Sequence, residues 1–332
     1  MQLKVFLAGR VAVESDGVVI GDGRFPGRQG RLLFAYLVAE QARPVPRDEL
    51  AEALWGEAVP ATWEKALSVL VSKLRALLNE CGVDGLQSLT TAFGCYRLTL
   101  PAGSWIDVAA ADEAAAAADH ALAERDLDGA LVNASTAAAF ARRTFLPGED
   151  GRWVDQRRAE LGEILRRALE SLAEANRLAG DAASAVRAAE ELVMLEPFRD
   201  SGYRLLMQAQ SAAGNDAEAL RTYERCRTLL AEELGAFPSP ETEAVYLEIL
   251  RSAPSRRPGA VDQLDVDGPR PITPPPPIGE PPKRGRRTLV VLAAAGVLVC
   301  GVAAAAYAFT SGDRAPPEVL PNSMVRLDPS TL

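Results

Sequence analysis

The chain is poor in the residues that most chemistry needs. Its only histidine, His120, sits in an alanine-rich stretch and reads as a surface or structural residue. No Ser/His/Asp order, no HExxH and no P-loop occurs. Gly21-Asp22-Gly23 reads as a turn, not a phosphate cradle. The four cysteines (Cys81, Cys95, Cys226, Cys300) are far apart and form no CxxC. That spacing argues against a zinc site and gives no disulfide framework, so the thiols are expected buried and reduced in a cytosolic setting. No catalytic residue, no metal ligand and no cofactor are expected, and the chain is not read as an enzyme. Met1–Leu7 lacks a basic region followed by a long apolar run, so no secretory signal is expected and the start of the chain is placed in the cytosol.

A strong positive charge is also missing. The net charge is −9, so the whole chain is not a polycation that adheres to nucleic acid. Its distribution is uneven. Residues 1–100 carry 11 Lys and Arg against 11 Asp and Glu, while residues 101–252 carry 16 against 27. The acid lies in the middle and the head is neutral, so phosphate binding by the head requires a local basic face.

What is present is a folded composition, 48% hydrophobic and 24% charged, in 332 residues, enough for two domains and extras. Leu3 to Gly9 alternates as a strand. Val11–Glu14 and Val18–Ile20 flank Ser15-Asp16-Gly17, a turn signal. Three helical stretches follow, Gln29–Glu40, Arg47–Leu54 and Thr62–Asn79, with Pro44 and Pro46 between the first two and Thr62 as N-cap of the third. Gln87–Leu100 reads as a hairpin. Sheet, three helices, hairpin is the order of an OmpR-type winged helix.

The third helix is the most informative stretch. At 100° per residue, Trp63, Ala66, Leu67, Leu70, Leu74, Leu77 and Leu78 fall on one side, with Leu70 at its centre. Lys65, Ser68, Ser72 and Arg75 fall opposite, Val69 and Ala76 between them, and Lys73 on the flank. Short side chains let a helix sink toward base edges, Val69 suits a thymine methyl, and Lys or Arg reaches phosphate or guanine. The hairpin adds Thr90, Thr91 and Arg97 for backbone or minor-groove contact. The expected DNA-binding residues are therefore Lys65, Ser68, Val69, Ser72, Lys73, Arg75, Thr90, Thr91 and Arg97. On charge pattern alone, a solvated amphipathic face explains the same helix.

Residues 107–252 are rich in Ala, Leu, Glu and Arg with helical periodicity. Leu178-Ala179-Gly180-Asp181 with Ala185 recurs as Ala212-Ala213-Gly214-Asn215 with Ala219, an offset of 34 residues, the tetratricopeptide period. Glu196-Pro197 suits the end of a unit. Stacked helix pairs of this kind form a concave surface for protein partners.

Pro254–Pro282 reads as a linker that spans at most roughly 90 Å if fully extended as polyproline. Lys283-Arg284-Gly285-Arg286-Arg287 then precedes Leu289–Phe309, an uncharged run of 21 residues. Its length is close to the ~20 residues needed to cross a bilayer. The preceding cations orient such a helix with its N-terminal side in the cytosol. The remainder, 310–332, reads as a short extracytoplasmic tail whose Asn322–Pro329 looks like a propeller start cut short.

Residues 3–250 resemble the Streptomyces antibiotic regulatory protein family, an OmpR-type winged helix joined to a tetratricopeptide-like bacterial transcriptional activator domain. The stretches that carry the resemblance are Glu49–Gly56, Pro60-Ala61-Thr62, Val71–Arg75 and Tyr96-Arg97-Leu98 in the first part. In the second they are Gly214–Leu220, Tyr223, Leu229–Gly235 and Pro238–Thr242. The resemblance implies a DNA-binding regulator that recruits RNA polymerase. There are departures. Cys95 replaces one Gly of the family's Gly-Gly-Tyr wing, and Lys73 stands where the family has Arg, which changes bidentate base contact. No nucleotide-binding domain follows.

The expected architecture is multidomain and mainly α. It comprises a winged helix at 1–100, a helical-repeat activator domain at 105–252, a Pro-rich and basic linker at 253–287, a transmembrane helix at 288–309 and the tail at 310–332. The expected protein is a single-pass, membrane-tethered transcriptional regulator, cytoplasmic at its N-terminal domains. Its expected partners are double-stranded promoter DNA, RNA polymerase, the lipid bilayer and a second copy on DNA. The alternatives are a membrane-anchored interaction scaffold, motivated by the neutral head and acidic middle, and a signal-sensing protein without DNA binding.

Overall fold

The computed structural model describes residues 2–252. The linker, the apolar run Leu289–Phe309 and the tail lie outside the described residues.

The chain opens with β1 (Leu3–Phe6), β2 (Ala12–Ser15) and β3 (Val18–Ile20), an antiparallel meander. Leu3, Val5 and Leu7 are buried at alternate positions, as the period of two requires. Asp16 and Gly17 turn β2 into β3 with φ of 44° and 84°. Three helices follow: α1 (Gly27–Ala39), α2 (Arg47–Trp55) and α3 (Trp63–Glu80). A two-residue strand, β4 (Val45–Pro46), precedes α2. After the short α4 (Gly85–Ser88) come β5 (Leu89–Ala92) and β6 (Cys95–Leu98), the wing hairpin, with β4 on its other side in the order β4-β6-β5. Finally β7 (Trp105–Ile106) returns to the first sheet and pairs in parallel with β1. Two-residue strands such as β4 and β7 leave no periodicity in a sequence, and neither was expected.

Helix α3 buries Leu67, Val71, Leu74, Leu77 and Leu78. The sequence pattern centred this side on Leu70, but Leu70, Trp63 and Ala66 are only half-buried. The stripe is turned toward Val71, because Leu70 sits at the edge beside Gln29 and Trp55. Burying each of these leucines contributes roughly 2 kcal/mol, which fixes the helix's rotation and hence which residues face out. Thr62 occupies the N-cap, but its side chain makes no capping hydrogen bond.

The second part is all helix: α5 (Asp107–Ala123), α6 (Leu127–Ala141), α7 (Arg152–Ala179), α8 (Ala182–Leu195), α9 (Asp200–Ala212), α10 (Asp216–Leu234) and α11 (Pro240–Ser252). Ala111, Ala115 and Ala118 of α5 and Ala130, Ala134, Ala137 and Ala138 of α6 are fully buried. Methyl-sized contacts let helix axes approach closely. The 34-residue repeat falls on equivalent turns. Gly180 between α7 and α8 and Gly214 between α9 and α10 have φ of 83° and 78°. Asp181 caps α8 by accepting from Ser184 N at 3.0 Å, and α8 stops at Leu195, before Glu196-Pro197.

The two parts share one core, which runs from Leu3 through Leu54, Leu74 and Leu98 to Ala138, Leu169 and Leu192. Polar ties reinforce it. The Asp107 carboxylate is fully buried and accepts from the backbone N–H of Leu7, at 3.0 Å, and of Ala8, at 2.9 Å. Leu146 N donates to Leu7 O at 2.9 Å. Fully buried Glu149 receives Arg28 Nε at 2.8 Å and Arg31 Nη2 at 2.6 Å. The winged helix is thus seated on α5 and the α6–α7 turn. Burial pushes the Cys81 and Cys226 thiols up to about 11, which keeps them protonated at neutral pH.

Candidate nucleic-acid interface

The buried stripe of α3 leaves a solvent strip. Lys65, Ser68, Val69, Ser72, Lys73 and Ala76 line a shallow, open depression along it. Lys65 and Lys73 are exposed, and among the described residues neither takes part in an ion pair. No acid lines the depression. The two lysines are eight positions apart, about 12 Å along a helix, comparable with the width of the major groove. The floor between them is short-chained. Ser68 Oγ donates to Glu64 O and Ser72 Oγ to Ser68 O, each at 2.9 Å. Those bonds occupy the hydroxyl hydrogens and leave oxygen lone pairs as acceptors.

Arg75 is placed differently from the expectation. Its Nε and Nη2 donate to Leu89 O at 2.9 and 2.7 Å, and Nη2 also donates to Thr91 Oγ1 at 3.1 Å. The side chain is half-buried and binds the wing to α3 rather than standing on the outer face with Lys65. Helical angle alone does not show this, because a long guanidinium can fold back onto a neighbouring strand. Thr91 shares that contact. In the hairpin register Thr90 pairs with Arg97, and both are exposed on the face away from Tyr96. The nine expected residues therefore fall into a group of five on α3, a clamp of two, and two on the outer face of the wing.

Other residues aim the wing. Gly85 is required where α4 meets α3, since a Cβ there would lie 2.2 Å from Arg75 O. Arg47 N donates to Gly94 O at 3.1 Å, and its guanidinium lies 5.5 Å from the centre of the Tyr96 ring. Two further surface features escaped sequence reasoning. Gln29 from α1 joins Trp55, Thr62, Lys65 and Val69 around a second depression, a proximity that no linear signal carries. Phe93, at the wing tip, is entirely exposed. Its signal was an aromatic directly before Gly in a two-residue turn.

Residues 27–97 match the C-terminal family of transcriptional regulatory proteins, and residues 106–250 match the bacterial transcriptional activator domain. Transcriptional regulatory protein MoaR1 of Mycobacterium tuberculosis is 30% identical over 231 residues, which cover 68% of this chain and 72% of MoaR1. The chain belongs to the Streptomyces antibiotic regulatory protein family. Regulatory protein AfsR of Streptomyces coelicolor is 32% identical over 253 residues, covering 76% of this chain but 25% of AfsR. Transcriptional regulatory protein EmbR of M. tuberculosis is 30% identical over 75% of this chain and 63% of EmbR. The structure of M. tuberculosis EmbR in complex with a low affinity phosphopeptide superposes with a TM-score of 0.69 over 75% of this chain and 65% of that one, at 30% identity. The chain thus spans about a quarter of AfsR and somewhat under two thirds of EmbR.

These relatives correct the membrane placement expected from the sequence. They are named as regulatory proteins of transcription or of regulation at large, and no helix among the described residues is long and apolar enough to cross a membrane. The expectation rested on the length and lack of charge of Leu289–Phe309, in which Ala and Gly supply ten of the 21 residues and carry little apolar area each. A single-pass membrane localisation, a bilayer partner and a membrane-anchored variant of the family are withdrawn.

Proposed function

We propose that this protein binds double-stranded promoter DNA by laying α3 in a major groove with the wing over the adjacent minor groove. Lys65 and Lys73 neutralise phosphates at the groove edges. Ser68, Val69 and Ser72 meet base edges, the two hydroxyls as acceptors and Val69 against a thymine methyl. Thr90 and Arg97 reach backbone or minor groove. The observation that carries this reading is the α3 depression itself: two lysines without ion partners among the described residues, a short-chained floor and no acid in its lining, on a helix to which the wing is clamped. A scaffold with a mixed or acidic face is disfavoured by the same depression.

The helical repeats then serve protein contact, with RNA polymerase or with a second copy on a repeated site. Exposed Met194 and Phe198 near the α8–α9 turn, and Leu234 and Phe237 near the α10–α11 turn, support this part. Asp200 draws the two turns together by accepting from Ser239 N at 2.8 Å and Thr242 Oγ1 at 3.0 Å. The test is footprinting of the full chain on promoter fragments, its own upstream region included, followed by transcription with purified polymerase. Protection and a changed transcript level are expected. No protection at low salt overturns the reading.

A further inference from the structure

Resting on that reading and deepening it, we propose that Phe93 is a specificity-determining wedge whose ring enters the minor groove beside the α3 site and partly unstacks one base step. The wing strands pair from Leu89↔Leu98 to Ala92↔Cys95, so the turn consists of Phe93 and Gly94 alone. Their φ values are 49° and 77°. Such a turn favours Asn-Gly, because positive φ crowds a Cβ. A bulky aromatic there is strained, and its relative exposure is 103%, so no packing offsets the strain. Hairpin stability alone would select against Phe at this place.

The tip is also aimed. Arg75 holds the base of β5 against α3 through Leu89 O, and Arg47 holds the turn through Gly94 O. The tip is therefore fixed relative to the Lys65–Lys73 strip. Leu89–Leu98 contains no acid, and Arg97 and Thr90 lie exposed on the same hairpin. An apolar ring at the tip of an acid-free ribbon that carries a cation nearer its base has the chemistry of side chains that wedge between base steps from the minor groove. The favoured step is a pyrimidine–purine one, which unstacks most easily.

The test uses the full chain and duplexes it selects from a random-sequence pool, with 2-aminopurine placed in turn at each position flanking the α3 footprint. Binding of the parent is expected to raise fluorescence at one step. F93N suits the turn, so its urea midpoint is expected to be no lower than the parent's. It is expected to lose the fluorescence rise and the step preference, with about a tenfold weaker Kd. F93L, still apolar and bulky, is expected to keep part of both. A parent complex with no fluorescence change at any step overturns the wedge, as does F93N binding like the parent. Weaker binding by F93N with a silent parent signal and a lower protein-to-DNA ratio assigns Phe93 to a protomer contact instead and also overturns it. If the parent selects no DNA, the underlying reading fails and the wedge with it. If the parent selects DNA and F93N matches it, the wedge alone fails.

Discussion

Arg75 and Leu89 are joined by a forked hydrogen bond, with Nε and Nη2 of the guanidinium both donating to the Leu89 carbonyl, at 2.9 and 2.7 Å. Leu89 is 1% exposed, so this carbonyl has little access to water. The bond ties α3 to the wing.

Replacing Arg75 by Ala strands that carbonyl. A loss of about 1–3 kcal/mol of stability is expected in urea unfolding. DNA affinity falls as well, but the slope of log K against log salt stays at the parent value, because Arg75 neutralises no phosphate. A slope reduced by about one unit would instead place Arg75 on the DNA backbone.

Lys65→Ala and Lys73→Ala are expected to behave oppositely. Both lysines are exposed and unpaired among the described residues, so stability stays within about 0.5 kcal/mol of the parent. Affinity falls on all sequences alike, and each change lowers the salt slope by about 0.9. Filter binding from low to physiological salt measures this.

Asp107 gives a pH signature. Burial raises its carboxyl pKa above the ordinary value, against the backbone N–H groups of Ala8, Leu7 and Val108, which favour the charged form. A raised folded pKa means that the folded state holds the proton more tightly than the unfolded chain. The Asp107 contribution therefore falls as pH rises from its unfolded value, about 3.9, through the folded value. Denaturation midpoints across that range should carry this falling component in the parent and lack it in Asp107→Asn. Asp107→Ala leaves buried N–H groups without acceptors and is expected to cost about 3 kcal/mol or more at neutral pH.

Glu149→Gln removes the charge that Arg28 and Arg31 share beneath the winged helix. The guanidiniums left behind are 47% and 26% exposed and water screens them, so a loss of about 1–3 kcal/mol is expected, from the weaker hydrogen bonds of a neutral amide in the buried position. Because both parts share one core, tryptophan fluorescence and far-ultraviolet circular dichroism should unfold together in the parent, at one urea midpoint. Separate midpoints would show that the winged helix and the repeats melt independently.

The legible parts of the fold were those with a period. The strand alternation at Leu3–Leu7, the three helices, the hairpin and the 34-residue spacing of Gly180 and Gly214 are all written in side-chain order. The five candidates on α3 were legible for the same reason. What was not legible depends on contacts between distant segments. The Arg75 clamp, the return of β7 to β1, the burial of Asp107 and Glu149 and the approach of Gln29 to α3 leave no periodic trace. The rotation of α3 toward Val71 was missed because Leu70 is as apolar as its neighbours yet faces an edge. The membrane expectation failed where a run of uncharged residues and the cations before it were the signal.

The most direct measurement is hydroxyl-radical footprinting of the full chain on duplexes it selects, beside a Lys65→Ala, Lys73→Ala double variant of equal urea stability. Protection is expected on the two backbones flanking one major groove per protomer, with a further protected patch across the adjoining minor groove, all lost in the double variant. Equal protection by both proteins, or none by the parent at low salt, contradicts DNA recognition by α3 and its wing.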